Sequence, residues 1–479
     1  MTPRKTSTEA GELEALLTQK RFGEVLARAQ RWIARAPREP VPHEAMARAY
    51  FSTGRLQSAS DAADRALSMV SSNAALLLLR AICDHRLGRS DEAARRLRRL
   101  LDRRPANQVE ASVSLAEVLH RAGRHEEFDD FLAKGGAWLA DERAAVFAAR
   151  AMARKDRAAA IELLTKTAGS SKNMVLKRVA GFDAIRMLDA DGRYRDAFEL
   201  AVETHRQTTP VFDIGAIEAS IAAQYRLLEK GPTACPAAGP IVTNTALVVG
   251  LPRSGTTLLE QMLDRHPMVS GIGEYEGTFL LGESLTELGL LPDNLRGLKA
   301  SDAATLSAQY LEGAALRRRA GAQWTFDKAL AQWRLMPALA TVLPGAAFVH
   351  IEREPRDCAI SMFLSNFHPQ TWGLTRDLAS IRRVIELERG IVRRAIEVLG
   401  LRALTVQYEE LVDHPEREMR RVLALLDLPF DSAVLAPEEN RRTVLTLSFE
   451  QVRRKINRSS IGRWKNYAFA FDASWDALG

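Results

Sequence analysis

Cysteine is scarce: Cys83, Cys235 and Cys358 are the only three in 479 residues. They lie far apart, which rules out zinc-type spacing and a disulfide framework and fits a reducing cytoplasm. Long apolar runs are also missing. No stretch of about 18 apolar residues occurs, so no membrane-spanning helix is expected. The N-terminal MTPRKTSTEAGELEALL has basic residues but no apolar h-region, so it does not read as a secretory signal. A third absence is local. LVVGLPRSGTTLLEQML, Leu247 to Leu263, reads as an apolar strand, a glycine-bounded loop and a helix, the build of a phosphate-binding loop. The lysine that an ATP-binding loop places after its second glycine is not there: Thr256 follows Gly255, and Arg253 sits inside the loop. The loop is therefore expected to hold an anion other than the phosphates of ATP.

What is present is a soluble globular composition, 46% hydrophobic and 27% charged. The length exceeds one ordinary core, so two or three domains are expected. The net charge of +7 suits either a solvated arginine-rich surface or an anionic ligand or partner.

The first half repeats. G-R-x-x-x-A appears at Gly54-Arg55 with Ala59, at Gly88-Arg89 with Ala93 and at Gly192-Arg193 with Ala197. Weaker copies start at Lys20, Gly123 and Asp156, and the Gly123 copy carries Phe128 where alanine is expected. Starts at 20, 54, 88, 123, 156 and 192 are 34, 34, 35, 33 and 36 residues apart. A period near 34 resembles the tetratricopeptide class of helix–turn–helix repeats. Glycine at the turn leaves the right-handed region without steric cost, and Pro37 and Pro105 fall near repeat ends, where a helix must stop. Such arrays stack into a solenoid whose concave face binds a peptide or protein. The expected organisation is a helical repeat domain over 1–228, a Pro/Gly-rich linker or extended strap over 229–245 and a second domain over 246–479.

From Ala246 onward short apolar runs alternate with helical stretches. Leu247–Val249, Trp324–Phe326, Ala347–Ile351 and Leu404–Val406 read as strands buried on both faces of a mainly parallel sheet. Ligands of such α/β sheets bind at the carboxyl ends of the strands. The loop Leu251–Gly255 lies at one. Its N–H groups, those of the following helix, the hydroxyls of Ser254, Thr256 and Thr257, and the Arg253 fork together make an anion cradle.

Four segments in order carry a resemblance to a known family: PRSGTT (252–257), FVHIEREPRDCAISMFLSNF (348–367), VQYEELVDHP (406–415) and SFEQVRRKINRSSIGRWKNY (448–467). The C-terminal half resembles the sulfotransferases that use 3′-phosphoadenosine 5′-phosphosulfate (PAPS). It looks most like the tyrosylprotein sulfotransferases and their bacterial relatives with N-terminal tetratricopeptide repeats. The resemblance implies an α-solenoid followed by a P-loop-like α/β sulfotransferase domain. It implies that Arg253, Ser254, Gly255, Thr256 and Thr257 wrap the 5′-phosphosulfate and that Arg353 and Ser361 hold the 3′-phosphate. It places Tyr408 at a strand end, and Ser448, Asn457 and Arg463 in a segment closing over the nucleotide. It implies PAPS as co-substrate and no metal. Arg353 has a competing reading as the ion-pair partner of Asp357, and the basic closing segment has one as a solvated face.

Sulfuryl transfer needs a base for the acceptor proton, a cation for the leaving oxygen and donors for the sulfuryl oxygens. The family's catalytic glutamate lies 21 residues after the loop arginine, and 274 minus 253 is 21, which makes Glu274 the candidate base. Glu276 is the weaker candidate, and His266 reads as a helix-end cap. Lys328, in WTFDKALAQW, is the candidate leaving-group cation, with Arg253 as its helper; Leu330 replaces the proline expected there. Two departures bear on the acceptor. Glu276 stands where the animal enzymes carry an arginine that reads acidic peptides, and Ile272 and Asp327 stand where those enzymes have a disulfide. The acceptor class stays open between a protein tyrosine, reached through the repeats, and a small-molecule or glycan hydroxyl. A nucleotide kinase and a repeat-based adaptor with an inactive enzyme domain are the competing functions. Neither nucleic acid nor a membrane is expected as a partner.

Overall fold

The computed structural model describes residues 3–440 and 455–478. It divides into two compact units, with the break after Ala180. Among the described residues no helix is long and apolar enough to cross a membrane.

The first unit is helical. Its helices from Phe22–Arg35 through Arg157–Ser170 run mostly 13 or 14 residues and join through short turns. The period seen in the sequence has a local cause. Arg21, Arg55, Arg89 and Arg124 each donate a backbone N–H to a carbonyl five residues back, at Leu16, Tyr50, Asp84 and Leu119. The residue before each arginine is left-handed: Lys20, Gly54, Gly88 and Gly123 have φ of 58°, 79°, 86° and 72°. This is the glycine-type helix stop, in which bonds back to the last turn satisfy carbonyls the helix leaves open. The sixth copy, at Gly192 with φ 73°, repeats it through the Arg193 N–H and the Leu188 carbonyl. The copy at Asp156 does not. There the aspartate side chain caps the next helix by accepting from the Ala159 N–H at 2.9 Å. Small residues fill the helix interfaces, with Ala29, Ala47, Ala63, Ala93 and Ala116 fully buried. Phe128, out of pattern in sequence, is also fully buried and meets Phe147 edge-on at 6.3 Å.

The second unit begins within the helix Met174–Ala190, earlier than residue 228. The helices Tyr194–Thr208 and Gly215–Glu229 therefore belong to the sheet-bearing unit. His205 Nε2 lies 2.9 Å from the Phe363 carbonyl, and Gln224 Nε2 donates to the Arg334 carbonyl at 2.9 Å. The Pro/Gly-rich segment before the sheet is a strap, not a free tether. Ala238 and Gly239 donate to the Thr341 carbonyl, and Val242 donates to that of Pro344.

Among the described residues five strands form one wholly parallel sheet: β1 (Thr245–Val249), β2 (Val269–Gly273), β3 (Trp324–Asp327), β4 (Ala347–Glu352) and β5 (Ala403–Gln407), in the order β2-β3-β1-β4-β5. Four of them overlap the expected strands, but β5, at the edge of the sheet, has only Val406 buried and is not covered on both faces as expected. The fifth, β2, has the sequence VSGIG, whose two glycines and serine hide its strand character. β1 is central. The chain runs from it toward β2 on one side and later crosses to β4 on the other, so the loop leaving β1 opens where the winding reverses. The helix Thr256–Asp264 packs Leu259, Met262 and Leu263 against Val248, Val349 and Ile351 of the sheet, which fixes the start of that helix at the carboxyl end of β1.

Candidate active site

The loop between β1 and its helix is closely packed. Ser254 Oγ donates to the Leu251 carbonyl at 2.8 Å and closes the turn, so this hydroxyl is engaged within the loop. Arg253 is left-handed at φ 70°. Gly255 has φ 109°, and a Cβ there would stand 2.4 Å from Tyr408 Cδ2 and 3.1 Å from Ile351 Cδ1. Only glycine fits both the conformation and the space. Gly255→Ala is therefore expected to displace the Tyr408 ring and spoil the cradle. Nucleotide affinity should fall about 5–30-fold, the equivalent of about 1–2 kcal/mol spent restoring the strained loop on binding. Calorimetry giving an unchanged dissociation constant would refute this. Thr256 and Thr257 open the helix and are buried.

Cationic groups converge on this loop. Arg253 Nε donates to Ser361 Oγ at 2.8 Å. Arg353, leaving β4, donates through Nη1 to the Arg253 carbonyl at 2.8 Å and through Nη2 to the Ser460 carbonyl. Its guanidinium lies 4.8 Å from the Tyr408 ring centroid. Its buried Nε has no hydrogen-bond partner among the described residues. Burial, together with the nearby Arg353 and Arg463, pushes the Arg253 guanidinium down to about 10. Like charges gathered in this way, Arg353 buried and the other two half-buried, fit a bound anion. The competing reading of Arg353 as the partner of Asp357 is weak in geometry, because that pair is 4.0 Å apart. Asp357 instead accepts from the backbone N–H groups of Gly462 and Trp464, at 2.6 and 2.7 Å, and so anchors the closing segment. Arg463 is fixed by Asp189, which also accepts from Tyr467 Oη at 2.6 Å.

The ends of β2 and β3 carry the second group. Lys328 Nζ donates to Glu274 Oε1 at 2.7 Å. The lysine side chain is 1% exposed and the glutamate side chain 47%, so the cation is held inside while the carboxylate faces outward. The neighbouring Asp327 is fully buried. It accepts from Tyr310 Oη at 2.9 Å and from the Ala329 N–H at 2.8 Å, and burial pushes its carboxyl up to about 7. Four residues past Lys328, the buried Gln332 has no partner for either end of its amide among the described residues, which leaves donor and acceptor capacity for a ligand or water.

A phosphate-type loop lacking its lysine and the arginines around it thus stand on the same sheet edge as a carboxylate–lysine pair. Residues 246–432 match the family model described as the sulfotransferase family. This is a sulfotransferase-family domain. Over 229 residues the chain is 29% identical to an uncharacterized protein of Aquifex aeolicus (strain VF5), covering 46% of this chain and 30% of that one. Over 233 residues it is 29% identical to Protein-tyrosine sulfotransferase 1 of Danio rerio, covering 45% and 64%. The chain spans less than two thirds of the length of either relative. Among solved structures it matches the sulfotransferase domain from the curacin biosynthetic pathway at 15% identity and a TM-score of 0.37, over 50% of this chain and 97% of that one.

Several expected residues of the sulfotransferase domain are placed differently from one another. Arg253, Ser361, Arg353 and Tyr408 meet. Ser361, paired in expectation with Arg353, touches Arg253 instead. Asn457 is exposed and turned onto its own segment, donating to the Lys455 carbonyl at 2.8 Å and accepting from the Ser459 N–H at 3.1 Å. Ser448, with Arg453 and Arg454, lies outside the described residues. His266 is a helix-end residue: Nδ1 accepts from the Met268 N–H at 3.2 Å, and Nε2 lies 3.0 Å from the Pro429 carbonyl. Glu276 lies 3.8 Å from Arg317. Sequence reasoning passed over Asp189, Gln332 and Glu260.

Proposed function

We propose that this protein transfers a sulfuryl group from PAPS to an acceptor hydroxyl, and that the acceptor is a protein tyrosine. The observation that carries the reading is the pairing of two arrangements on one sheet edge. Arginines, Arg353 buried and Arg253 and Arg463 half-buried, surround a loop without the ATP-type lysine, and the exposed carboxylate of Glu274 sits on the buried ammonium of Lys328. The Nε of Arg353, without a partner among the described residues, and the close-fitting glycine at 255 suit a nucleotide with phosphate groups at both ends. In this scheme the loop N–H groups with Thr256 and Thr257 hold the phosphosulfate, and Arg353 holds the 3′-phosphate. Glu274 accepts the proton of the acceptor hydroxyl as its oxygen attacks sulfur. Lys328 neutralises the charge that collects on the departing phosphate oxygen. Positioning and charge stabilisation supply most of the acceleration in such transfers.

The names of matched relatives support a tyrosine acceptor. Glu276 stands where the animal enzymes that the chain resembles carry an arginine that reads acidic peptides, and Arg317 lies 3.8 Å from it, so peptides with neutral flanks are expected to react at least as well as acidic ones. The test is calorimetry without metal, followed by turnover. 3′-Phosphoadenosine 5′-phosphate (PAP) should bind, and ATP should bind far more weakly, because only a 3′-phosphorylated nucleotide engages Arg353. Equal affinity, or a preference for ATP, would return the protein to the nucleotide kinases. With PAPS supplied, sulfation of simple phenols or sugars but of no tyrosine peptide would overturn the acceptor while leaving the transfer reaction standing.

A further inference from the structure

We propose that Glu260 is a positioning residue that aims Glu274, tying the catalytic carboxylate to the helix that begins at the phosphosulfate loop. This rests on the reading of Glu274 as the base. Glu260 is buried at 1% exposure, an expensive place for a carboxylate unless it is hydrogen-bonded. Its Oε1 accepts from the Gly273 N–H at 2.8 Å. One turn on, Asp264 Oδ1 accepts from the Gly271 N–H at 2.8 Å, and its Oδ2 accepts from Asn440 Nδ2 at 2.8 Å.

The spacing explains the pattern. β2 is an edge strand, so every second N–H points away from the sheet with no strand to receive it. Such groups recur every ~6.6 Å along a strand, and helix residues four apart recur every ~6 Å. The helix Thr256–Asp264 therefore supplies two carboxylates in register with two orphan donors. Gly273 is held from the other side as well, because its carbonyl accepts from the Lys328 N–H at 3.0 Å. Both polar groups of the residue before Glu274 are thus fixed, one by the loop helix and one by the residue that binds the Glu274 carboxylate. The strand is irregular here, with its register against β3 shifting between Gly271 and Gly273, so the ladder alone does not set the direction of residue 274. Thr256, at the cradle, and Glu260 lie one turn apart on the same helix. Donor site and base share one rigid frame.

The test separates reach from charge. Glu260→Gln keeps an oxygen that accepts from Gly273, Glu260→Asp keeps the charge but is one methylene short, and Glu260→Met keeps only the volume. Turnover is expected to be near normal for Gln and to fall about 10–100-fold for Asp and Met, since a misplacement near 1 Å costs about that much. PAP affinity should stay within about twofold in all three, which also reports that they fold. Combined with Glu274→Gln, the Met variant should cause no further loss, because there is no base left to aim. Normal turnover by Asp, or a loss in Gln as large as in Met, overturns the proposal, as does a full additional loss in the double variant. If Glu274→Gln is slow while Asp and Met are both normal, only the positioning role falls. If Glu274→Gln itself turns over normally, the base reading falls and the proposal with it.

Discussion

Glu274→Gln is expected to lower kcat by about 10²–10⁴-fold and to leave PAP affinity nearly unchanged. General-base catalysis typically contributes that factor. The glutamine keeps the shape and can still accept from Lys328 Nζ, which donates to Glu274 Oε1 at 2.7 Å, but it cannot take a proton at neutral pH. The position is half exposed and the lysine beneath it is buried, so the change removes chemistry and leaves the nucleotide cradle intact. The loss should be smaller for a nitrophenol than for an unactivated phenol, because an acidic hydroxyl needs less help to deprotonate. Turnover within a few-fold of wild type, or an equal loss for both phenols, would remove Glu274 from the role and make Glu276 the next residue to test. Lys328→Ala should also cut kcat, because the charge on the departing phosphate oxygen then goes unneutralised.

Arg353→Ala is expected to weaken PAP binding about 10–150-fold, the worth of a charge-assisted contact of ~1.5–3 kcal/mol. The side chain does two things at once. Its buried Nε has no hydrogen-bond partner among the described residues, and its Nη atoms hold the Arg253 carbonyl of the loop and the Ser460 carbonyl of the closing segment. Removing it takes a cation from the 3′-phosphate and unties the two walls of the site. At saturating PAPS the chemical step should change much less than the affinity. Calorimetry showing wild-type affinity would refute the assignment, and a large fall in kcat with unchanged affinity would move Arg353 to the reacting end of the nucleotide.

Much of this was legible in the chain because it is encoded over short distances. The turn before each repeated arginine needs one residue with positive φ and a bond reaching back five residues, so glycine at a fixed period reports it directly. The copy at Lys20 makes the same turn without glycine, whereas the copy at Asp156 uses a side-chain cap instead. The loop after β1 is legible for the same reason: the residues that make it are adjacent. β2 was not, since VSGIG has neither the alternation nor the β-branched run that marks a strand, and its place is set by β3 and by the carboxylates of a neighbouring helix. The division between units was not legible either. The helices after Gly181 look like further repeats in sequence, and packing against Phe363 and Arg334 assigns them to the sheet-bearing unit.

By itself, then, the sequence determined the local conformations: the periodic helix stops, the buried parallel strands, and the anion loop without its lysine. It also determined which residue types stand at each strand end. The tertiary structure decided which charges meet. Asp357 could have paired with Arg353 four residues away, yet it holds the backbone of Gly462 and Trp464. Asp189, in a stretch that reads as repeat, fixes Arg463 and Tyr467. Ser361 went to Arg253, and Glu260 to the strand that carries Glu274. A turn or a helix is chosen by neighbours a few residues apart. A buried charge must find donors or a counter-ion wherever the packed elements bring them, and that partner is set by the packing of distant segments.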